Sequence, residues 1–529
     1  MTGPVTPGMT FRRLIASRYS IAGVAILLIG VAIRVPLLNS PMAGYARNED
    51  ATAHVLATMA AYEQTSAKTH RFLPIFTLGA RSDKYINDLP TASRLDKHGN
   101  VFYTSWPPGF FVFPYALAKA LHVAPNLLFL RSLNMALQVL CCLLLACLCS
   151  DSVGVADNRE ARWIAGSLGF MLYAAAPEAL KSHLFGYWAE SLYSPILIGQ
   201  IILFARNRIG PLFFLLALTG GLIDWTAYIA NAGFFLAFVY LGAKERRYIW
   251  LAMFTAAANV LALILLFAWF TSVVPIHDLL TAQRHRAGVR MGLQADYIDL
   301  FGGYIKTLGP FLLLLFPLFL YPFRNRWWRA LASEDPHPQQ KRSALFFVAL
   351  FPLAENLSLA NHAANYSYDR LKLLIPVAIA VSFLVGSFPR ERHRLFFLGG
   401  ILSLSSIVAF GVYFRNHYAY ANDPVLSFQP RFGALVRRTA PLDTLLFTTE
   451  LVRGSTLYYV GRNIYSIGEP EVRPPGMSIE DFVHETLKQR GFTQGEVYLP
   501  SSDRRTAQIW YVPASIDAPV RRETVRLFP

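Results

Sequence analysis

Apolar runs long enough to cross a bilayer recur from near the start of the chain to residue 414. They fall at about 21–38, 127–149, 163–177, 186–205, 249–274, 306–323, 344–360, 372–388 and 395–414. Runs of roughly 17–25 such residues span a membrane as helices, because lipid offers no partner to the backbone and a helix satisfies it internally. Two shorter runs, 211–223 and 226–241, meet at Gly220-Gly221 and Asp224-Trp225 and read as a helical hairpin. A Pro-punctuated stretch at 107–122 either lies on the surface or crosses. The chain therefore reads as a polytopic α-helical membrane protein of about eleven spans.

Composition agrees, and charge adds orientation. Only 16% of the 529 residues are charged, against about a quarter in soluble domains. The net charge of +16 raises the question of a nucleic-acid partner, but its distribution answers it. Arg12, Arg13 and Arg18 precede the first span; Arg206/Arg208, Lys244/Arg246/Arg247, Arg324/Arg326/Arg329, Lys341/Arg342 and Arg390/Arg392/Arg394 occupy short connections. Eleven spans put all of these on one face, the positive-inside pattern. The N-terminus is expected in the cytoplasm, with the loop after the first span and the C-terminal segment outside. No nucleic acid is expected. The first run is too long for a cleavable signal peptide and no small-residue cleavage site follows it.

Cys141, Cys142, Cys147 and Cys149 share one apolar run and lack C-x-x-C spacing, so they read as small packing residues rather than metal ligands. After Phe414 the apolar runs shorten to strand length at Leu445–Thr448, Leu457–Val460, Glu496–Leu499 and Ile509–Val512. Between them Ser478 to Arg490 reads as a helix, with Ser478 as cap, Glu480 and Asp481 in the first turn and Gly491 as stop. Residues 1–414 are expected to form the membrane module and 415–529 a small extramembrane α/β domain without a catalytic constellation.

The chemically richest segment is the polar loop 39–106. It opens with adjacent Glu49 and Asp50 and closes with Trp106-Pro107-Pro108-Gly109. A chain that only crosses the bilayer connects its spans briefly, so acids on a long loop just past a first span read as an active site at a membrane surface. A helix is expected over Ala51 to Tyr62; its N-terminus keeps a carboxylate ionised, which suits a general base. The competing reading makes both acids simple helix caps on a wet loop. Asp96 to Tyr103 reads as a turn and a short extended piece.

These features together resemble GT-C membrane glycosyltransferases of the protein O-mannosyltransferase and lipid A aminoarabinose transferase type. The resemblance lies in Arg34-Val35-Pro36 ending the first span and in the acids soon after. It continues in Asp96, Gly99, Tyr103 and Pro107-Pro108-Gly109, in Arg131 on the next span, and in Tyr368-Asp369-Arg370-Leu371-Lys372-Leu373-Leu374-Ile375-Pro376. Tyr458-Tyr459-Val460-Gly461-Arg462 in the tail resembles the periplasmic α/β domain of these enzymes. Where the family shows Asp-Glu, this chain has Asn48-Glu49-Asp50, which leaves open which acid acts. The resemblance implies a multi-pass bacterial inner-membrane transferase with its site on the periplasmic face. It implies a polyprenyl-phosphate sugar as donor and a lipid, glycan or protein as acceptor.

Such a reaction needs cations for the leaving phosphate, and Arg offers it two hydrogen bonds at once. The candidates are Arg284, Arg286 and Arg290 on an Arg-rich loop at 277–290, Arg370 with Lys372, and Arg81 with Lys84. His362, Tyr366 and Tyr103 are candidates for substrate contact, and Glu190, Asp224 and Glu355 stand out as acids in apolar runs. A structural hydrogen bond or a solvated charge is the plainer reading for each of these singly. No cofactor is expected, with a divalent cation left open. The alternative class is a lipid-linked glycan transporter or flippase, which predicts internal repeats and short external loops.

Overall fold

Proline, glycine and helix caps divide the apolar runs into helices in the computed structural model. It describes all residues except 1–17, 43–48, 80–82, 85–92, 97, 154–157, 291–296, 316–335, 419–426, 469–472, 475 and 529. Six helices among the described residues are long and apolar enough to cross a membrane: Arg18–Leu37, Leu127–Ser152, Arg247–Thr271, Tyr297–Leu315, Ser367–Ser387 and Arg392–Tyr413. Gly109–Ala120, Ala189–Ala205, Pro211–Ile223 and Thr226–Gly242 are apolar but shorter. Trp250, Phe254, Val260 and Ile264 point outward from Arg247–Thr271, an exposed apolar face that water would penalise and lipid would not.

The expected single run at 344–360 is broken. Pro352 opens a 3-10 turn at Phe351–Leu353 after helix Pro336–Leu350, and two short helices, Ala354–Ser358 and Ala360–Asn365, follow. Proline lacks the N–H that would continue the ladder. The Arg-rich stretch read as a loop is instead helix Ile276–Arg290.

The chain forms two compact units. The first comprises 1–38, 131–266 and 289–414. Within it the first span ends at Pro36, where the α-helix tightens to a 3-10 turn at Val35–Leu37. Arg131 Nη1 donates to the carbonyls of Leu37 and Leu38 at 3.2 and 2.9 Å, satisfying groups the helix end leaves open. Arg34 is fully buried and donates to Gln138 Oε1 at 2.5 Å and to the Gly30 carbonyl at 3.0 Å. Gly169 lies directly on Cys149 Sγ, and Cys141, Cys142 and Cys149 are buried, so these thiols fill helix–helix contacts where small residues permit close approach.

The second unit comprises 39–130, 267–288 and 415–529. The loop after the first span thus belongs with the tail rather than with the rest of residues 1–414. Two hydrogen-bonded contacts show how. Asn463 exchanges hydrogen bonds with the backbone of Leu78 at 2.8 and 2.7 Å, and Tyr459 OH accepts from the Met42 N–H at 2.8 Å. The tail carries a five-stranded mixed sheet in the order Tyr465–Ser466, Leu445–Thr448, Gln494–Pro500, Thr506–Pro513, Arg521–Arg526. Its first three strands are parallel and the others antiparallel. Helix Ile479–Arg490, capped by Ser478 and stopped by Gly491 at φ +72°, lays Val483 and Leu487 on the sheet against Leu445, Phe447 and Val497. Leu457–Val460, expected as a strand, is the end of helix Gly454–Val460, which Gly461 terminates in the left-handed conformation.

Candidate active site

Glu49 and Asp50 sit at the N-terminus of helix Asp50–Thr65, in the second unit. Capping accounts for neither. Glu49 occupies the cap position but its side chain makes no capping hydrogen bond. Asp50 is 8% exposed, and neither of its oxygens has a hydrogen-bond donor among the described residues. A carboxylate without water or donors holds its proton tightly. Burial pushes the Asp50 carboxyl up to about 6, with Arg453 opposing the rise and Glu49 adding to it. An acid titrating near neutrality suits proton transfer, whereas an ordinary cap stays ionised far below it.

The helix is held by the segment that follows it. Thr58 Oγ1 donates to the Ile75 carbonyl at 3.2 Å and Tyr62 OH to the Leu73 carbonyl at 2.8 Å. Ile75 in turn bridges Phe102, in the strand Val101–Tyr103 that pairs antiparallel with Ser93–Leu95. Asp96 closes this hairpin by accepting from the N–H groups of His98 and Asn100, both at 2.8 Å, where Gly99 takes φ +75°. Lys84 Nζ donates to Asn100 Oδ1 at 2.7 Å, so this cation braces the same turn, and burial lowers its ammonium below the usual range. Tyr103 is buried with its ring 5.3 Å from His54 and 5.2 Å from Phe76; both contacts make it a packing ring within the unit. Pro108 then opens helix Gly109–Ala120, over a buried Trp106.

The tail reaches the acid. Helix Gly454–Val460 begins against helix Asp50–Thr65: a Cβ on Gly454 would stand 2.7 Å from His54 Cδ2 and 3.0 Å from the Ala53 carbonyl carbon. Only glycine allows that approach. It brings Arg453, the preceding residue, beside Asp50. Sequence reading found no catalytic group in the tail, since nothing local marks a residue whose partner lies some four hundred positions earlier.

The expected phosphate-binding cations fare differently from one another. Arg284 is exposed on helix Ile276–Arg290. The side chains of Arg286 and Arg290 lie outside the described residues, as does Arg81. In the first unit Arg370 is buried, donating from Nε to Thr307 Oγ1 at 3.2 Å and from Nη1 to the carbonyls of Ala363 and Ala364, at 2.5 and 3.0 Å. It packs on Gly303, whose missing side chain makes room for the guanidinium. These bonds brace helix Ala360–Asn365.

That unit also gathers the acids noted in apolar runs of the sequence. Lys372 Nζ bonds Glu355 Oε2 and, at 3.3 Å, Thr226 Oγ1. Thr226 donates to Glu355 Oε2 at 2.5 Å and its N–H to Asp224 Oδ1 at 2.9 Å. His362 Nδ1 bonds Asp369 Oδ2, with the Tyr366 ring 4.4 Å from the imidazole, and Glu190 lies buried against Asp369 and Asp224. Lys372, expected with Arg370 as a phosphate-binding cation, is instead paired with Glu355, and Asp369 is not singled out as a site residue because the sequence presents it as part of an ordinary charged helix end. Among the described residues no group of three or more His, Cys, Asp or Glu is arranged to hold a metal ion.

No protein-family profile matches the chain, and no curated protein matches it in sequence. Its fold is similar to that of two solved structures. The solved structure of ArnT from Cupriavidus metallidurans bound to undecaprenyl phosphate is similar at TM-score 0.55 and 12% identity, over 92% of this chain and 93% of that one. The same protein in its apo state is similar at TM-score 0.51 and 11% identity, over 92% and 94%.

Proposed function

We propose that this protein is a membrane glycosyltransferase that moves a sugar from a polyprenyl-phosphate-linked donor to an acceptor, on the periplasmic face of a bacterial inner membrane. The observation that carries the reading is Asp50, a buried carboxyl without donors among the described residues and poised near pH 6, on a GT-C fold. The solved relative with undecaprenyl phosphate bound supports the donor class. In the reaction the acceptor oxygen or nitrogen attacks the anomeric carbon as Asp50 takes its proton. The bond from that carbon to the phosphate oxygen breaks, and the polyprenyl phosphate leaves with the electron pair. A single displacement of this kind inverts the anomeric carbon. Membranes holding the protein and a panel of radiolabelled polyprenyl-phosphate sugars test it: one donor should lose its sugar to an acceptor. A panel left intact, under conditions where the Asp50→Asn variant behaves identically, would sink the proposal.

Two further expectations follow from the same reading. Arg284 is the described cation of helix Ile276–Arg290 that remains open to solvent, and its guanidinium suits the departing phosphate. Arg284→Ala should weaken donor use by on the order of ten to a hundredfold, as removing one charged hydrogen-bond partner costs about 1.5–3 kcal/mol. Unchanged donor kinetics would move the phosphate elsewhere. Topology is checked separately: a C-terminal alkaline phosphatase fusion should be active and a green fluorescent protein fusion dark. The reverse pattern would place Asp50 on the cytoplasmic face.

A further inference from the structure

Helix Gly454–Val460 touches helix Asp50–Thr65 at the turn that carries the candidate base, not at its far end. Gly454 seats on the backbone at Ala53 and on His54, one turn from Asp50. The preceding backbone is extended at Arg453, with φ −118° and ψ 171°, and the Arg453 N–H donates to Thr456 Oγ1 at 3.3 Å, fixing where the side chain leaves. The contact is anchored on both sides. Tyr459 accepts from the Met42 N–H, upstream of the acids, and Asn463 clasps Leu78, beyond the helix they begin.

We propose that Arg453 is a positioning residue of the active site: the tail supplies the one cation that faces Asp50 among the described residues, holding the carboxylate ionised until the acceptor arrives. This rests on the reading of Asp50 as base. The charge balance supports it. Asp50 faces Arg453 from the tail and Glu49 from the adjacent position. His54 lies one turn along the same helix, and strand Val101–Tyr103 contributes Tyr103 against that histidine. Without Arg453 the acid would be left with burial and a like-charged neighbour, both of which favour the protonated form. A protonated Asp50 cannot accept a proton. The tail thereby acts on the chemistry through a single side chain, whose approach depends on a glycine.

The test follows the Asp50 proton itself. The infrared absorbance of protonated carboxyl groups is titrated in full-length protein in lipid nanodiscs, taking the difference between each protein and its Asp50→Asn counterpart. The wild-type midpoint should lie near pH 6. In Arg453→Gln it should rise by roughly one pH unit or more, as expected when an opposite charge is removed. Arg453→Lys should return it most of the way, and the acidic limb of the rate profile should move in step. An unmoved midpoint in an Arg453→Gln protein that melts like wild type overturns the proposal. Failure of the parent reading looks different: Asp50→Asn then keeps its turnover, whatever the midpoint does. If Arg453→Gln melts early, Arg453→Met and Arg453→Lys, read as a pair in the same titration, separate charge from packing.

Discussion

Asp50→Asn should lower turnover by about a hundred to ten-thousandfold while leaving donor binding in place, because the amide keeps the shape and removes the basicity. It should also make the protein more stable. The folded-state carboxyl titrates at about 6 against 3.8 for an ordinary Asp, so the folded chain holds this proton more tightly than the unfolded chain. Stability is therefore lost as pH rises from about 4 to 6 and stays lost above that window, a cost on the order of 3 kcal/mol. Asparagine carries none of this cost. At pH 7.5 the variant should melt higher than wild type, and below about pH 4 the two should melt alike. In wild type the rate should fall about tenfold per pH unit below 6, as the base is consumed. A variant with near-normal turnover and an unchanged melting curve would reduce Asp50 to a structural residue.

Lys372→Ala should be among the most damaging single changes in the membrane unit. The ammonium is buried against Glu355 and Thr226, with Asp224 joined through the Thr226 N–H. Removing one partner of a buried pair leaves an uncompensated charge, typically at about 3–5 kcal/mol. Thermal unfolding in detergent should show a large drop. Replacing both members, Lys372→Met with Glu355→Met, should recover most of it, because the desolvated charges go together. A Lys372→Ala protein that melts like wild type would mean that water reaches the cluster.

Much of this was legible in the chain because the signals were local. Ser478 and Gly491 bracket a helix with side-chain and backbone chemistry that needs no distant partner, and helix Ile479–Arg490 follows from them. The pairs 211–223 and 226–241 were legible for the same reason, the polar hinge at Asp224-Trp225 lying between two apolar helices. Tyr458-Tyr459-Val460 misled, since an aromatic and β-branched run favours strands. Thr456, bonded by the Arg453 N–H, and the left-handed Gly461 frame it as a helix instead. The 344–360 run misled because hydrophobicity hides where Pro352 breaks the ladder. The acids were legible by position, but what makes Asp50 reactive was not. Burial, missing donors and Arg453 are all properties of residues brought together across the whole length of the chain.

That distance has a consequence for how the protein comes into being. A ribosome makes the chain from its N-terminus, so Asp50 is made early, whereas Arg453, Gly454 and Asn463 emerge only after the six long apolar helices among the described residues have been synthesised. Until then the acid stands without its cation and the 50–65 helix without the surface that seats it. On the reading of Asp50 as base and Arg453 as its positioning cation, competence arrives only once residues 453–463 are made, and a product stalled or clipped before them would carry the carboxyl in an idle form.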